Sequence, residues 1–212
     1  LQFLTDFDAF LESLNNPDLT LDDRAFLQER MTLARAVGAE VVRGDIVRAG
    51  GRSYRNVRIR GVTEDYPLLE DVPLAAGRQL TDIDVTASRQ VVVLGWDVAR
   101  DLFPRHADPV GREVKIGGRH FTVVGLIEDR GTVLGNNRNE VALIPVTAWQ
   151  KLWGTGESLD IRVAAADLGR LDDARDEATF LMRVRHRVRP LERDDFAIQT
   201  SDQLLNIWGG IS

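Results

Sequence analysis

At 212 residues, with 43% hydrophobic side chains, the chain is long enough for one large or two small cored domains. Its 27 Lys and Arg against 33 Asp and Glu leave a formal net charge of −6, which argues against a nucleic-acid partner, and the lack of any cysteine excludes disulfides and thiolate metal centres. No apolar run approaches the roughly 20 residues that cross a bilayer, and no signal-peptide pattern is visible. Yet the first residues, among them Leu1, Phe3 and Leu4, and the last, among them Trp208, are apolar for chain ends. That pattern fits a domain set between two membrane helices, or a trimmed or secreted mature protein.

In chain order, residues 5–14 open with a Thr/Asp cap signal and repeat Phe7, Phe10, Leu11 and Leu14 at helical spacing. Pro17 breaks that helix. A second is predicted over 20–38, with Thr20 as N-cap, Asp22 and Asp23 at the positive end of the dipole, Gly38 closing it, and Phe26, Leu27, Met31, Leu33 and Ala34 as its buried stripe. Residues 39–49 and 53–62 read as strands joined at Gly50-Gly51, with Val57 and Ile59 alternating with Arg58 and Arg60. Two prolines and little periodicity make 63–85 an ordered irregular connection. A buried strand over 89–95 leads to a short helix over 96–103, with Val98, Ala99, Leu102 and Phe103 inward.

The clearest local motif is 114–127, a tight hairpin about Gly117-Gly118 in which Val114 faces Phe121, and Ile116 and Val123 share that face. Residues 128–140 read as a polar, mobile loop. A strand over 141–146 stops at Pro145, a short helix capped by Thr147 covers 147–153, and a strand follows over 158–166. The longest helix is 167–188, with Leu171, Ala174, Ala178, Leu181 and Met182 on one face, Arg185 exposed, acids in its first half and arginines in its last turns. A final strand over 194–200 and a helix capped by Ser201 end the chain. The order is α+β, with two lobes, one of them discontinuous in sequence.

Little in this sequence points to chemistry. His106, His120 and His186 lie far from one another, so a metal would need long-range convergence. The adjacent acids Asp22-Asp23, Asp172-Asp173 and Asp194-Asp195 sit near helix or strand starts, where charge at an element end explains them without catalysis. There is no nucleophile elbow, phosphate loop or dinucleotide fingerprint. Trp149 and Trp153 share a helix face as core or interface, and Trp208 suits a membrane-interface anchor.

The run from Val91 to Gly131 resembles the central signature of the extracytoplasmic (periplasmic core) domain of MacB-type ABC transporter permeases. The matching residues are Gly95, Leu102-Phe103, the Asp108-Pro109-Val110-Gly111 turn, and Phe121, Val123 and Gly125. Gly77-Arg78 through Asp84 upstream and 142–154 downstream, including Pro145, also fit, and the resemblance spans about 20–208. The N-terminal 17 residues are outside the pattern and could continue a first membrane helix as a stalk.

The resemblance implies a porter-like βαβ lobe, 1–63 plus 140–212, with an inserted β-rich sabre-like lobe, 64–139. It implies Gly77, Arg78, Gly95, Phe103, Pro109, Gly111, Phe121, Val123, Gly125 and Pro145 as structural motif residues, and Leu1, Phe3, Leu4 and Trp208 as membrane-proximal. It implies a non-catalytic domain on the extracytoplasmic face, with no cofactor and no metal, that passes ATP-driven motion across the membrane to drive export. The implied partners are the rest of the permease and its ATP-binding domain, a second permease subunit and, in some members, a periplasmic adaptor. The alternatives are a lipoprotein-extraction permease domain, for which 129–140 is the loop to contact a carrier, and a secreted hydrolase using paired carboxylates.

Overall fold

A computed structural model describes residues 16–104, 108–133 and 135–198. The helices expected over 5–14 and after Ser201 lie outside the described residues, as do Leu1, Phe3, Leu4, His106 and Trp208. In chain order the elements are α1 (Leu21–Arg30), β1 (Ala34–Ala49), β2 (Arg52–Val62), α2 (Tyr66–Leu69), β3 (Leu74–Gly77), α3 (Asp82–Thr86), β4 (Val91–Leu94), α4 (Trp96–Leu102), β5 (Glu113–Ile116), β6 (Arg119–Ile127), β7 (Thr132–Val133), β8 (Asn136–Asn137), β9 (Val141–Pro145), α5 (Val146–Trp153), β10 (Asp160–Ala165), a 3₁₀ turn (Leu168–Arg170) and α6 (Leu171–His186). The α+β expectation holds. The chain divides into two compact units, Leu1–Ala34 with Ala165–Ser212, and Arg35–Ala164.

In the first unit α1 begins as expected. Thr20 caps it, Asp23 returns its carboxylate to the Thr20 N–H at 2.9 Å, and Leu27 is buried. The helix then stops at Met31 instead of running to Gly38. The Glu177 carboxylate on α6 takes the next free amides, accepting from Thr32 N at 2.8 Å and Leu33 N at 2.9 Å. α6 buries Ala174, Ala178 and Met182, one residue per turn. Arg185 is exposed, as expected, and its guanidinium reaches Asp23 at 2.8 Å. Beyond α6, residues 191–198 form no strand, contrary to expectation for 194–200, although Phe196 is buried. Their carboxylates are turned back onto α6: Asp194 pairs with Arg183, and Asp195 lies 2.9 Å from His186 Nδ1. These side chain-to-helix bonds take the place of a ladder.

The second unit is built on a mixed sheet in the order β10-β1-β2-β9-β4-β6-β3. β9 lies parallel to β2 and antiparallel to β4, and all five of its residues are buried, as a central strand with both faces covered must be. β5 pairs with β6 and also meets β1 at the single register pair Arg48↔Lys115. The strands β1-β2-β9-β4-β6-β5 therefore close into a ring. Val47, Val57, Ile59, Val92, Ile116 and Val123 are fully enclosed. Val62, Tyr66, Val72, Leu80, Val93, Ile127, Val141 and Leu143 form a continuous apolar cluster. The lobe boundaries expected at 63/64 and 139/140 fall within this unit. The strands on either side of them share the sheet and meet at β4–β9, a ladder of two pairs, Val93↔Leu143 and Leu94↔Ala142, and at the single β1–β5 pair.

Three local expectations need correction here. Residues 34–38 are strand, because Ala36 to Val41 are buried without interruption and Gly38 packs so closely on Thr63 and Leu69 that a Cβ would lie 2.4 Å from the Leu69 side chain. The connection 63–85 contains α2, β3 and α3, with β3 held in register on β6 through Gly77↔Gly125. Thr147 is not a cap, since α5 starts at Val146 behind Pro145 and the Thr147 hydroxyl donates to the Val85 carbonyl.

Candidate functional site at the paired hairpins and motif joints

The β1–β2 and β5–β6 hairpins turn through Gly50-Gly51 and Gly117-Gly118 with the same backbone, φ of 53° and then 82° in each. Both residues of each turn are left-handed, which is what a two-residue primed turn demands and why glycine occupies it. The expected register is present: Val114 faces Phe121. Val114, Ile116, Phe121 and Val123 are all buried. The two hairpins are also tied together, since the Asp45 carboxylate on β1 accepts from Gly117 N at 3.2 Å. Beside the Gly50-Gly51 tip, between it and the β5–β6 strands, lies an open cleft of about 500 Å³, lined among others by Arg48, Arg52, Ser53, Glu113, Lys115 and His120.

The other motif residues sit at joints between elements. At Gly77 a Cβ would lie 2.2 Å from the Val124 carbonyl, and at Gly125 it would lie 2.5 Å from the Arg78 carbonyl, so β3 and β6 approach each other only because both are glycine. Arg78 grips the fully buried Asp84 through Nη1 at 2.6 Å and Nη2 at 3.3 Å, and Thr81 donates to the same carboxylate through N at 3.0 Å and Oγ1 at 2.8 Å. Burial alone would raise the Asp84 pKa, but Arg78 and Thr81 hold it down to about 2. Because the folded value lies below the unfolded one, its ionisation stabilises the fold above about pH 4 and that gain is lost as pH falls toward 2, on the order of 2 kcal/mol.

Gly95 starts α4 with its Cα against the Asn139 carbonyl, and its N–H donates to Val141 O at 2.8 Å. Phe103 and the buried Pro109 flank a shallow groove with Trp96. Gly111 ends the Asp108–Gly111 turn and donates to Val123 O at 2.8 Å, fastening that turn to β6. Pro145 ends β9 and leads into α5. The loop 128–140 is organised at its base, where the buried Asn139 donates to Asp129 at 2.6 Å and accepts from Arg130 N at 2.9 Å, and Asn137 donates to Asp97 on α4 at 2.8 Å.

One cluster has no counterpart in the expected sites. Glu40, 3% exposed, is held by Arg60 at 3.2 Å and by Arg162. Arg60 also reaches Tyr66 Oη at 2.5 Å and Glu70 at 3.3 Å, Tyr66 donates to Glu70 at 2.7 Å, and Arg162 and Arg130 approach Glu70 at 3.3 and 3.6 Å. Burial lifts the Glu40 pKa despite its arginines, whereas for Glu70 the Tyr66 hydroxyl and the arginines outweigh burial and lower it. The signal available in sequence was a lone acid inside an apolar run, Ala36 to Val42.

The adjacent acids are used structurally. Asp22 is exposed while Asp23 completes the capping box with Thr20 at the start of α1, Asp172 and Asp173 pair with Arg175 and Arg170 at the start of α6, and Asp194 and Asp195 hold Arg183 and His186. Of these six acids none lines the cleft between the hairpins. Among the described residues no cluster of three His, Cys, Asp or Glu is placed to hold a metal. Trp149 is buried core over Gly61, and Trp153 stands 5.1 Å from it. No helix of the described residues is long and apolar enough to cross a membrane.

Comparison with known proteins gives a consistent match. Residues 5–180 fit the family model described as the MacB-like periplasmic core domain. The macrolide export ATP-binding/permease protein MacB of Rhodospirillum rubrum is 29% identical over 191 residues, covering 89% of this chain and 28% of that protein. The pyoverdine export ATP-binding/permease protein PvdT of Pseudomonas aeruginosa is 31% identical over 144 residues, covering 67% of this chain and 21% of that protein. The chain thus spans less than a third of these relatives. The crystal structure of the periplasmic region of MacB from Actinobacillus actinomycetemcomitans superposes with a TM-score of 0.76 at 24% identity, covering 93% of this chain and 86% of that one. The extracellular domain of the noncanonic ABC-type transporter YknZ from Gram-positive bacteria gives 0.69 at 19% identity, covering 81% and 86%.

Proposed function

Because this chain belongs to the family of MacB-like periplasmic core domains, we propose that it is the extracytoplasmic domain of an ABC transporter permease and passes ATP-driven motion to an export step. The observation that carries this reading is the use made of the motif residues. Gly77, Arg78, Gly95, Gly111, Phe121, Val123 and Gly125 join strands to turns and to one another, and Asp84 and Asn139 complete the joints. A ring built of such joints resists bending and carries displacement from one end of the sheet to the other, where a softer assembly would absorb it. ATP hydrolysis belongs to a separate ATP-binding domain, and the movement it drives reaches this domain through flanking membrane helices. The permease works as a pair of subunits, and in some members an adaptor protein would meet the domain. The lobe division is proposed to act at the two seams that join 64–139 to the rest of the sheet, the two-pair β4–β9 ladder and the single β1–β5 pair.

The parent gene provides the test. The reading expects an apolar span of about 20 residues before Leu1 and another after Ser212, the first of three. A signal peptide ending directly at Leu1 and a stop codon directly after Ser212 would overturn it.

A further inference from the structure

The ring closes at an electrostatically unfavourable point. Arg48 and Lys115 are exact cross-strand partners, so their side chains leave the same face, and like charges in that position repel. Lys115 is in turn the cross-strand partner of His120. The three form a row across β1, β5 and β6, about 10 Å long from strand spacing alone. Arg52 stands at the adjacent turn, and all four side chains are exposed. Among the described residues neither Arg48 nor Lys115 forms an ion pair, and Glu113, the one acid of the cleft lining, faces His120 at 3.6 Å. A basic cleft of about 500 Å³ thus stands on a chain whose net charge is −6.

We infer that the cleft between the two Gly-Gly hairpins is a docking site for an acidic, extended polypeptide segment. A compact anion could neutralise Arg48 and Lys115 but would not span the row. An extended chain projects alternate side chains on one face about 7 Å apart, so carboxylates at positions i and i+2, on flexible side chains, reach across the roughly 10 Å row of Arg48, Lys115 and His120. Docking removes the repulsion built into the closure, which gives the site its preference for acids. The inference does not depend on the transport reading, since a free secreted protein with this surface would bind the same segment.

The test is a titration of the isotopically labelled 212-residue chain with a blocked decapeptide of alternating Glu and Ser, followed by the amide signals of Gly50, Gly51, Lys115 and His120, which line the cleft. Those signals should shift together. Binding should weaken severalfold as salt is raised through the range that screens exposed charges, fall at least about tenfold in the Arg48→Glu/Lys115→Glu double variant, and persist in Arg138→Glu, which makes the same kind of charge change elsewhere. Lys115→Glu alone should raise the melting temperature by placing opposite charges across the pair, a readout that needs no ligand. Unshifted amide signals at about 1 mM peptide, a Kd unaffected by the double variant, an equal loss in Arg138→Glu, or a Lys115→Glu melting temperature at or below that of the parent chain would each overturn the proposal. So would binding of the same residues to anionic lipid vesicles but not to the peptide.

Discussion

Phe121→Ala lowers the unfolding free energy of the chain by about 3–5 kcal/mol, a fall in melting temperature of roughly 6–20 °C for a chain of this size. The ring of Phe121 is 1% exposed and lies opposite Val114, with Ile116 and Val123 enclosed alongside. Removing it leaves a void that the hairpin cannot collapse to fill, because Gly111 and Arg112 fasten the backbone to Val123 at 2.8 Å and the Asp45 carboxylate fastens Gly117 at 3.2 Å. Phe121→Leu costs less, since most of the volume remains. Thr122→Ala, on the exposed side of the same strand, changes stability by no more than about 0.5 kcal/mol. Calorimetric melting of the three variants checks this, and a Phe121→Ala curve superimposable on that of the parent chain would contradict it.

Arg60→Ala costs about 3 kcal/mol near neutral pH, the lower part of the range for breaking a buried ion pair, because Arg162 remains beside Glu40. The loss has a pH signature. Burial already places the folded Glu40 pKa above its ordinary 4.5. Protonation of Glu40 therefore favours the folded state, with the full effect present below pH 4.5 and lost as pH rises through the folded value. Without Arg60 that upward shift grows, so the deficit is larger at pH 8 than at pH 4. The double change Arg60→Met/Glu40→Gln removes both charges and recovers part of the loss. Urea unfolding at the two pH values checks the sign. A deficit that is equal at both, or larger at the acid end, would show that Glu40 is not the charge left uncompensated.

What could be read from the sequence was local. The 114–127 hairpin was legible with its register because a two-residue Gly-Gly turn and a period-two pattern fix each other within 14 residues. The end of α1 was not legible. Ala34 and Ala36 favour helix by propensity, and the group that claims the next amides is Glu177, 144 residues away from Leu33. The ion cluster was hidden for the same reason. Arg60 alternates with Ile59 and looks solvent-facing until β1, α2 and β10 bring Glu40, Tyr66, Glu70 and Arg162 around it. At the motif joints, resemblance named Gly77, Arg78, Gly95 and Gly125, but the reason for them, carbonyl oxygens 2.2–2.5 Å from where a Cβ would stand and a carboxylate buried at Asp84, exists only once the chain is folded. The cleft basic residues were each visible, yet the row they form depends on β5 reaching β1, a pairing of one residue pair.

The most direct test of the account is a distance measurement on the moving domain. The chain contains no cysteine, so Arg119→Cys, at an exposed position on the β5–β6 hairpin, carries one spin label per domain. In the full-length permease, reconstituted with its ATP-binding domain and with its other cysteines replaced, pulsed electron resonance reports the separation between the labels of the two subunits. If the domain transmits ATP-driven motion, the distance distribution differs between the nucleotide-free and ATP-trapped states. Superimposable distributions in the two states, with ATP turnover intact, would contradict the account.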